Sequence, residues 1–180
     1  MNSISLILKK NYYEDYLRYI FSCDGVIVLS RNNEVGKYIF SRIRESDLPV
    51  QSSTPLDNMA VKLYIPDSHS VSFGNKFIYF SVADIELIND FLSAHFDMFF
   101  FRMMLEADRM GYEKKDALEA FLFGLGLNKF DTLYETLKKR EYRQELEIYS
   151  KLYEKMRQKD YRYRAKTFVF IRQSLQMLKN

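Results

Sequence analysis

The sequence of 180 residues contains a single cysteine, no tryptophan, three prolines and six glycines. The lone cysteine, Cys23, excludes an intramolecular disulfide and favours a reducing compartment. So few prolines and glycines argue against long disordered linkers. Asp97 and Arg102 interrupt the most apolar stretch, residues 91–105, and a membrane span needs roughly 20 mostly apolar residues. Residues 1–10 also lack the pattern of a secretory signal. We therefore expect a cytoplasmic protein that has no membrane contact.

Residues that could support catalysis are also scarce. The two histidines are His69, in a predicted loop, and His95, in a predicted apolar helix. By default, His69 is interpreted as an exposed side chain without a role, and His95 is expected to form a core hydrogen bond. No histidine or cysteine spacing indicates a zinc site, and no glycine-rich phosphate loop occurs. Cys23 lies beside an apolar run, where a small buried hydrophobic residue is expected. The sequence predicts a protein that is not an enzyme and uses no metal or cofactor.

Aromatic residues are abundant, with 15 Phe and 14 Tyr, and the net charge of +3 is unevenly distributed. Residues 1–110 carry a net charge of −3, whereas residues 111–180 carry +6. A basic C-terminal part on a mildly acidic body favours a nucleic acid, duplex DNA first, or an acidic protein surface as partner. The alternative is that these charges only keep the protein soluble.

Hydrophobic periodicity and turn residues predict an α+β fold with a small antiparallel sheet in the N-terminal half. The predicted strands cover residues 26–29, 61–65 and 76–80, and a loose hairpin joins the last two. Predicted helices cover residues 11–22, 33–44, 84–110, 114–123, 131–150 and 151–178. Asn32 or Asn33 caps the second of these helices, and Asp131 caps the fifth.

The longest predicted helix begins with a capping box formed by Ser81 and Asp84, and Gly111 suits its C-terminal cap. Its apolar positions form a wide stripe, which comprises Ile85, Ile88, Phe91, Leu92, Phe96, Phe99, Phe100, Met103 and Met104. So wide an apolar face predicts a central core helix. A self-association surface that forms a homo-oligomer is the alternative.

A domain boundary is expected near residue 111. It would separate an α+β body, residues 1–110, from a basic helical module, residues 111–180, although both parts could share one core.

Residues 114–143 have the character of a helix–turn–helix. The small, turn and apolar positions of that motif are occupied by Ala120, Gly124, Phe130 and Leu133. Glu119 departs from the motif, because an apolar residue is expected there, and Gly126 indicates a longer turn. A helical hairpin that never contacts DNA is the alternative.

If the hairpin binds DNA, the second helix supplies the contacts. Base edges or nearby phosphates would be reached by Asn128, Lys129, Thr132 and Thr136. The phosphate backbone would be contacted by Lys138, Lys139, Arg140 and Arg143. Five to eight such phosphate contacts would make the affinity fall steeply with salt.

A repeated segment adds further cations. Residues 133–143 recur as residues 152–162, nineteen positions later, with most residue types kept. The second copy and the residues after it contribute Arg157, Lys159, Arg162 and Arg164. In one continuous helix the copies would be rotated by about 100° from each other, so they share a face only if the helix breaks between them. Tyr142, Tyr161 and Tyr163 could stack on unpaired bases, or they bury their rings between helices.

Residues 115–143, which end in Tyr-Glu-Thr-Leu-Lys-Lys-Arg-Glu-Tyr-Arg, resemble uncharacterised small proteins from prophages and conjugative elements of Bacteroidales-type bacteria. The resemblance implies a mobile-element setting and DNA handling. The sequence therefore predicts a non-enzymatic DNA-binding accessory or regulatory protein of a mobile genetic element. The alternative is a structural or interaction subunit of a virion or other protein assembly.

Overall fold

A computed structural model describes residues 2–50, 59–66, 73, 76–142, 169, 170, 172–174, 176 and 177, without the side chains of residues 141 and 142. The predicted α+β class is confirmed. The elements in chain order are β1 (Asn2–Ile7), α1 (Tyr13–Phe21), β2 (Ile27–Val28), α2 (Glu34–Arg42), β3 (Arg44–Ser46), β4 (Ala60–Ile65), β5 (Phe77–Tyr79), α3 (Val82–Arg109), α4 (Lys114–Gly124) and α5 (Asp131–Tyr142). The described residues among 169–177 are helical.

The chain divides into two compact units, Met1–His95 and Phe96–Asn180. The division falls inside α3, whereas the sequence predicts a boundary after that helix. We refer to these as the first and the second unit. Within the described residues, no helix is both long enough and apolar enough to cross a bilayer.

The three-stranded sheet of the first unit has the order β1-β4-β2. β1 is antiparallel to β4, with Asn2 opposite Ile65, and β2 is parallel to β4, with Ile27 opposite Leu63. β3 and β5 form a separate antiparallel pair. The predicted hairpin between residues 61–65 and 76–80 is therefore wrong, because its strands belong to different sheets. β1 is not among the predicted strands, although it alternates as a strand does, with Ile4 and Leu6 buried and Ser5 exposed.

The core of the first unit lies where α1, α2 and the start of α3 cover the sheet. Its most deeply buried members are Leu6, Leu17, Leu29, Ile39, Leu63, Ile88 and Leu92. Asn33 caps α2 as predicted, since its side-chain oxygen accepts a hydrogen bond from the Gly36 amide at 2.7 Å. Burial of these apolar side chains is the main stabilising contribution to the unit.

The predicted capping box at the start of α3 is confirmed. The Ser81 amide donates to Asp84 Oδ2 and the Asp84 amide donates to Ser81 Oγ, both at 3.2 Å. Asp84 also accepts two hydrogen bonds from Arg44 of β3, from Nε at 2.5 Å and from Nη2 at 3.3 Å. One carboxylate therefore joins the small two-stranded sheet to the beginning of the long helix.

Most of the apolar stripe of α3 is buried, as the core-helix interpretation predicts, and its Ile85, Phe91 and Phe99 are half-buried. In the second unit the rings of Phe96 and Phe100 meet the Phe121 ring of α4 edge to face, with centroids 5.6 and 5.2 Å apart. Such contacts add to the energy of burial. Gly111 ends α3 as predicted, with a left-handed φ of 76°. The Tyr112 amide donates to the Ala107 carbonyl at 3.0 Å, which completes the cap.

Candidate nucleic-acid interface

The predicted binding surface lies on the helical hairpin of α4 and α5. Residues 125–130 connect these helices, a longer connection than the roughly three- or four-residue turn of a helix–turn–helix. Gly126 has a left-handed φ of 68°. Its amide donates to the Phe123 carbonyl at 3.0 Å, and the Leu127 amide donates to the Leu122 carbonyl at 2.7 Å. These bonds form a Schellman cap, so the structure is a capped helical hairpin and does not confirm the helix–turn–helix.

Gly124 has a different role from the one its position in the motif predicts. It is the last residue of α4 and not part of the turn. A Cβ atom at this position would lie 2.4 Å from Ser174 Oγ and 2.6 Å from the Phe170 ring. The glycine is therefore needed because residues near the C-terminus pack directly against the α4 backbone.

Two leucines of α5 anchor the helix. Leu133 and Leu137 lie one turn apart and are buried, whereas most of the remaining side chains of α5 are exposed or half-buried. Asp131 was predicted to cap α5, but it is the first residue of the helix. Its carboxylate interacts favourably with the positive end of the helix dipole. The anchored leucines determine which side of α5 faces away from the core.

The predicted base-contacting residues are all exposed. Asn128 and Lys129 lie just before α5, and Thr132 and Thr136 lie on it. Thr136 Oγ1 donates to the Thr132 carbonyl at 2.7 Å, which leaves the methyl group and an acceptor lone pair available. Helical spacing places Thr132, Glu135, Thr136 and Lys139 on one face. We call these four residues the α5 stripe.

The predicted phosphate-contacting residues differ in their availability. Lys138 and Lys139 are exposed, and the Lys138 ammonium lies 5.9 Å from the centre of the Tyr134 ring. Arg140 is half-buried and forms an ion pair with the half-buried Asp97 of α3. Its guanidinium is therefore held within the second unit, unlike the two lysines before it.

Carboxylates also lie on α5. Asp131 and Glu135 are exposed on the same helix as the cations. Glu135 is not among the predicted contact residues, although its spacing of three and four residues from Thr132 and Lys139 places it on their face of α5. A carboxylate in this position repels phosphate but can accept a hydrogen bond from the amino group of cytosine. The described surface of α5 is therefore mixed in charge and not uniformly basic.

The remaining predicted contacts lie outside the described residues. These are Arg143, Arg157, Lys159, Arg162 and Arg164, together with Tyr161 and Tyr163. Tyr142 is the last residue of α5, and its side chain is outside the description as well. The second copy of the repeat falls entirely within this part of the chain, so the relation between the two copies stays a prediction.

His95 and Cys23, two of the residues of types that could support catalysis, lie in the described part. The His95 Nδ1 atom and the Tyr16 hydroxyl are hydrogen-bonded at 2.8 Å, in agreement with the predicted core role. Cys23 is half-buried, and burial raises the pKa of its thiol. Among the described residues, no three histidine, cysteine or acidic side chains come together as a metal site. His69 lies outside them.

Comparison of the chain with protein-family models, with curated proteins and with solved structures finds no match.

Proposed function

We propose that this chain is a non-enzymatic, duplex-DNA-binding accessory or regulatory protein of a mobile genetic element. The observation that carries the proposal is the exposure of Asn128, Lys129, Thr132 and Thr136 at the start of α5, with Lys138 and Lys139 further along. The resemblance of residues 115–143 to prophage and conjugative-element proteins supports the mobile-element setting.

The α5 helix suits the major groove in size and chemistry. The groove is about 12 Å wide and admits one α-helix. Asn128 can pair with the N6 and N7 atoms of adenine, and the Thr136 methyl group can contact the thymine methyl. Lys129, Lys138 and Lys139 would bind phosphates and hold the helix in place. Base edges then determine sequence preference, and the lysines contribute most of the affinity.

The test removes the two exposed lysines of α5. The double variant Lys138→Gln, Lys139→Gln should weaken a duplex mobility shift by roughly 10-fold or more, because two phosphate contacts are lost. The matched control is Lys9→Gln, Lys76→Gln, which removes two lysines of the first unit that form surface ion pairs with Asp90 and Glu45. An unchanged shift for the α5 variant would rule out this surface.

A protein-assembly subunit is the second candidate. Three observations favour an assembly subunit. Arg140 is paired with Asp97, α5 carries carboxylates, and the side chain of Phe123 on α4 is 40% exposed. An interface of this kind buries aromatic side chains within a rim of charged residues. Size-exclusion chromatography separates the two candidates. An assembly subunit should form a multimer that persists in high salt, whereas DNA binding requires no such multimer.

A further inference from the structure

Glu135 is the member of the α5 stripe that lies farthest from the buried side of the helix. That side is marked by Leu133 and Leu137, which are buried. Glu135 is two residues from each of them in the sequence. Because successive residues of an α-helix are about 100° apart around the axis, Glu135 lies about 160° from both leucines. A partner that docks on the outer side of α5 therefore meets this exposed carboxylate at the centre of the contact.

Two exposed lysines lie on either side of Glu135. Around the helix axis, Lys138 is about 60° from Glu135 in one direction and Lys139 is about 40° from it in the other. The outer side of α5 thus carries a carboxylate between two ammonium groups. In a helix that lies in the major groove, the central position faces the base edges and the flanking positions face the two phosphate backbones.

Glu135 is not neutralised within the described part of the chain. Among the described residues its carboxylate has no ion-pair partner, although lysines occur three and four positions later, at the spacing where helical ion pairs form. Pairs with the same four-residue spacing do form elsewhere, between Glu14 and Arg18 at 2.6 Å and between Lys115 and Glu119 at 3.9 Å. The carboxylate of Glu135 therefore keeps its acceptor sites available to a ligand.

A carboxylate at the centre of the contact can select one base. It is ionised at neutral pH and can only accept hydrogen bonds. Guanine presents the acceptors N7 and O6 in the major groove, thymine presents O4, and adenine presents N7 beside its N6 amino group. Cytosine alone presents an amino donor, N4, without an acceptor. A carboxylate in this position is therefore repelled to some degree by three bases and accepted by the fourth.

We propose that Glu135 determines the base preference of this chain by accepting a hydrogen bond from the N4 amino group of a cytosine. Lys138 and Lys139 contact the phosphates on the two sides of the groove and keep α5 centred over that base. The carboxylate lowers the affinity for DNA in general, because it repels the phosphates, and so increases the difference between a C·G pair and the others. This inference rests on the duplex-DNA binding proposed above for α5.

The test selects binding sequences from a duplex library with a randomised central segment. The wild type should enrich cytosine at one position. Glu135→Gln should change the preference at that position to adenine, because an amide pairs with the N6 and N7 atoms of adenine. Glu135→Ala should have no preference there. Replacement of the selected C·G pair by T·A should weaken wild-type binding roughly 5-fold or more, and should leave the affinity of Glu135→Ala nearly unchanged.

The matched control is Glu113→Gln, which removes the same charge from an exposed residue just before α4. It should keep the cytosine preference of the wild type. Because Glu135 is exposed, its variants should unfold at the temperature of the wild type. Duplex binding that depends on Lys138 and Lys139, with the same base preference in the wild type and Glu135→Gln, would overturn this inference alone. A wild type that binds no duplex would overturn the function proposed for α5 as well.

Discussion

Among single residues, the buried polar groups Asp84 and Asn89 connect parts of the first unit that are distant in sequence. The Asp84 side chain is 3% exposed and pairs with Arg44, whose side chain is 54% exposed. Hydrogen bonds from Arg44 and Ser81 lower the pKa of Asp84 from its ordinary value of 3.8 to about 2. A carboxylate with this environment stabilises the folded state only while it is ionised.

The stability contributed by Asp84 should depend on pH. Because its pKa is lower in the folded state than in the unfolded chain, the contribution is complete above pH 3.8 and is lost as the pH falls towards 2. At pH 7, Asp84→Asn should lower the free energy of unfolding by about 1–3 kcal/mol. Denaturant titrations should show this difference shrinking below pH 3.8. Asp90→Asn is the control, since Asp90 forms an exposed ion pair with Lys9. A difference that is independent of pH would contradict this role.

Asn89 of α3 holds the end of β1. Its side-chain Nδ2 donates to the carbonyls of Ile7 and Ile85, each at 2.9 Å, and its Oδ1 accepts from the Lys9 amide at 2.8 Å. A buried amide that is satisfied in this way makes a specific connection between strand and helix.

Replacement of Asn89 by Leu should lower the free energy of unfolding by about 1–3 kcal/mol, because the backbone groups of Ile7 and Lys9 lose their partner. Thermal unfolding followed by circular dichroism measures this effect. Asn32→Ala, at an exposed position before α2, should have almost no effect. Equal stability of the two variants would show that the Asn89 hydrogen bonds contribute little.

Among the elements, the ends of the helices are determined by specific residues. Gly111 and Gly126 end α3 and α4 with left-handed backbone conformations that glycine adopts without strain. Gly124 has an ordinary backbone conformation and is required by packing instead. Two glycines only two positions apart therefore have different physical roles.

Gly124→Ala should destabilise the second unit although alanine is the better helix former. The added methyl group would overlap Ser174 and the Phe170 ring, and overpacking of this kind costs about 1–3 kcal/mol. Gly25→Ala is the matched control, because nothing lies within 4 Å of a Cβ atom there. A melting temperature that rises for Gly124→Ala would show that the C-terminal residues do not pack against α4 in solution.

For the whole molecule, charge is the property that bears most directly on the proposed function. The net charges of −3 for residues 1–110 and +6 for residues 111–180 create an electrostatic asymmetry. Fields of this kind increase association rates with polyanions and weaken with salt. The described cations of α5 differ, however, in how available they are to a ligand. Arg140 is paired with Asp97, whereas Lys138 and Lys139 are exposed.

Salt dependence measures how many of these cations contact duplex DNA. Five to eight phosphate contacts would give a slope of log affinity against log salt of roughly −5 to −7. Titrations of a labelled duplex between low and moderate salt measure the slope. Lys9→Gln should leave it unchanged, since Lys9 belongs to the first unit and pairs with Asp90. A slope near zero would contradict nucleic-acid binding by this chain.

The helices, their caps and the α+β class could be predicted because their signals are local. Ser81 and Asp84, Asn33 and Gly111 act on backbone groups only a few residues away. The exposed positions of α5 also follow from its spacing, since Leu133 and Leu137 mark the buried side. The amino-acid sequence by itself therefore determined where most helices begin and end and which sides of them face the core.

Contacts between distant residues were decided only by the tertiary structure. The pairing of β4 with β1 and β2, the ion pair of Arg140 with Asp97 and the stack of Arg42 on Tyr38 and Phe91 have no counterpart in local sequence spacing. Strand alternation indicates which face is buried but not which strand is the neighbour. The availability of a cation for a ligand likewise depends on whether folding brings a carboxylate to it, as it does for Arg140 and does not for Lys139 among the described residues.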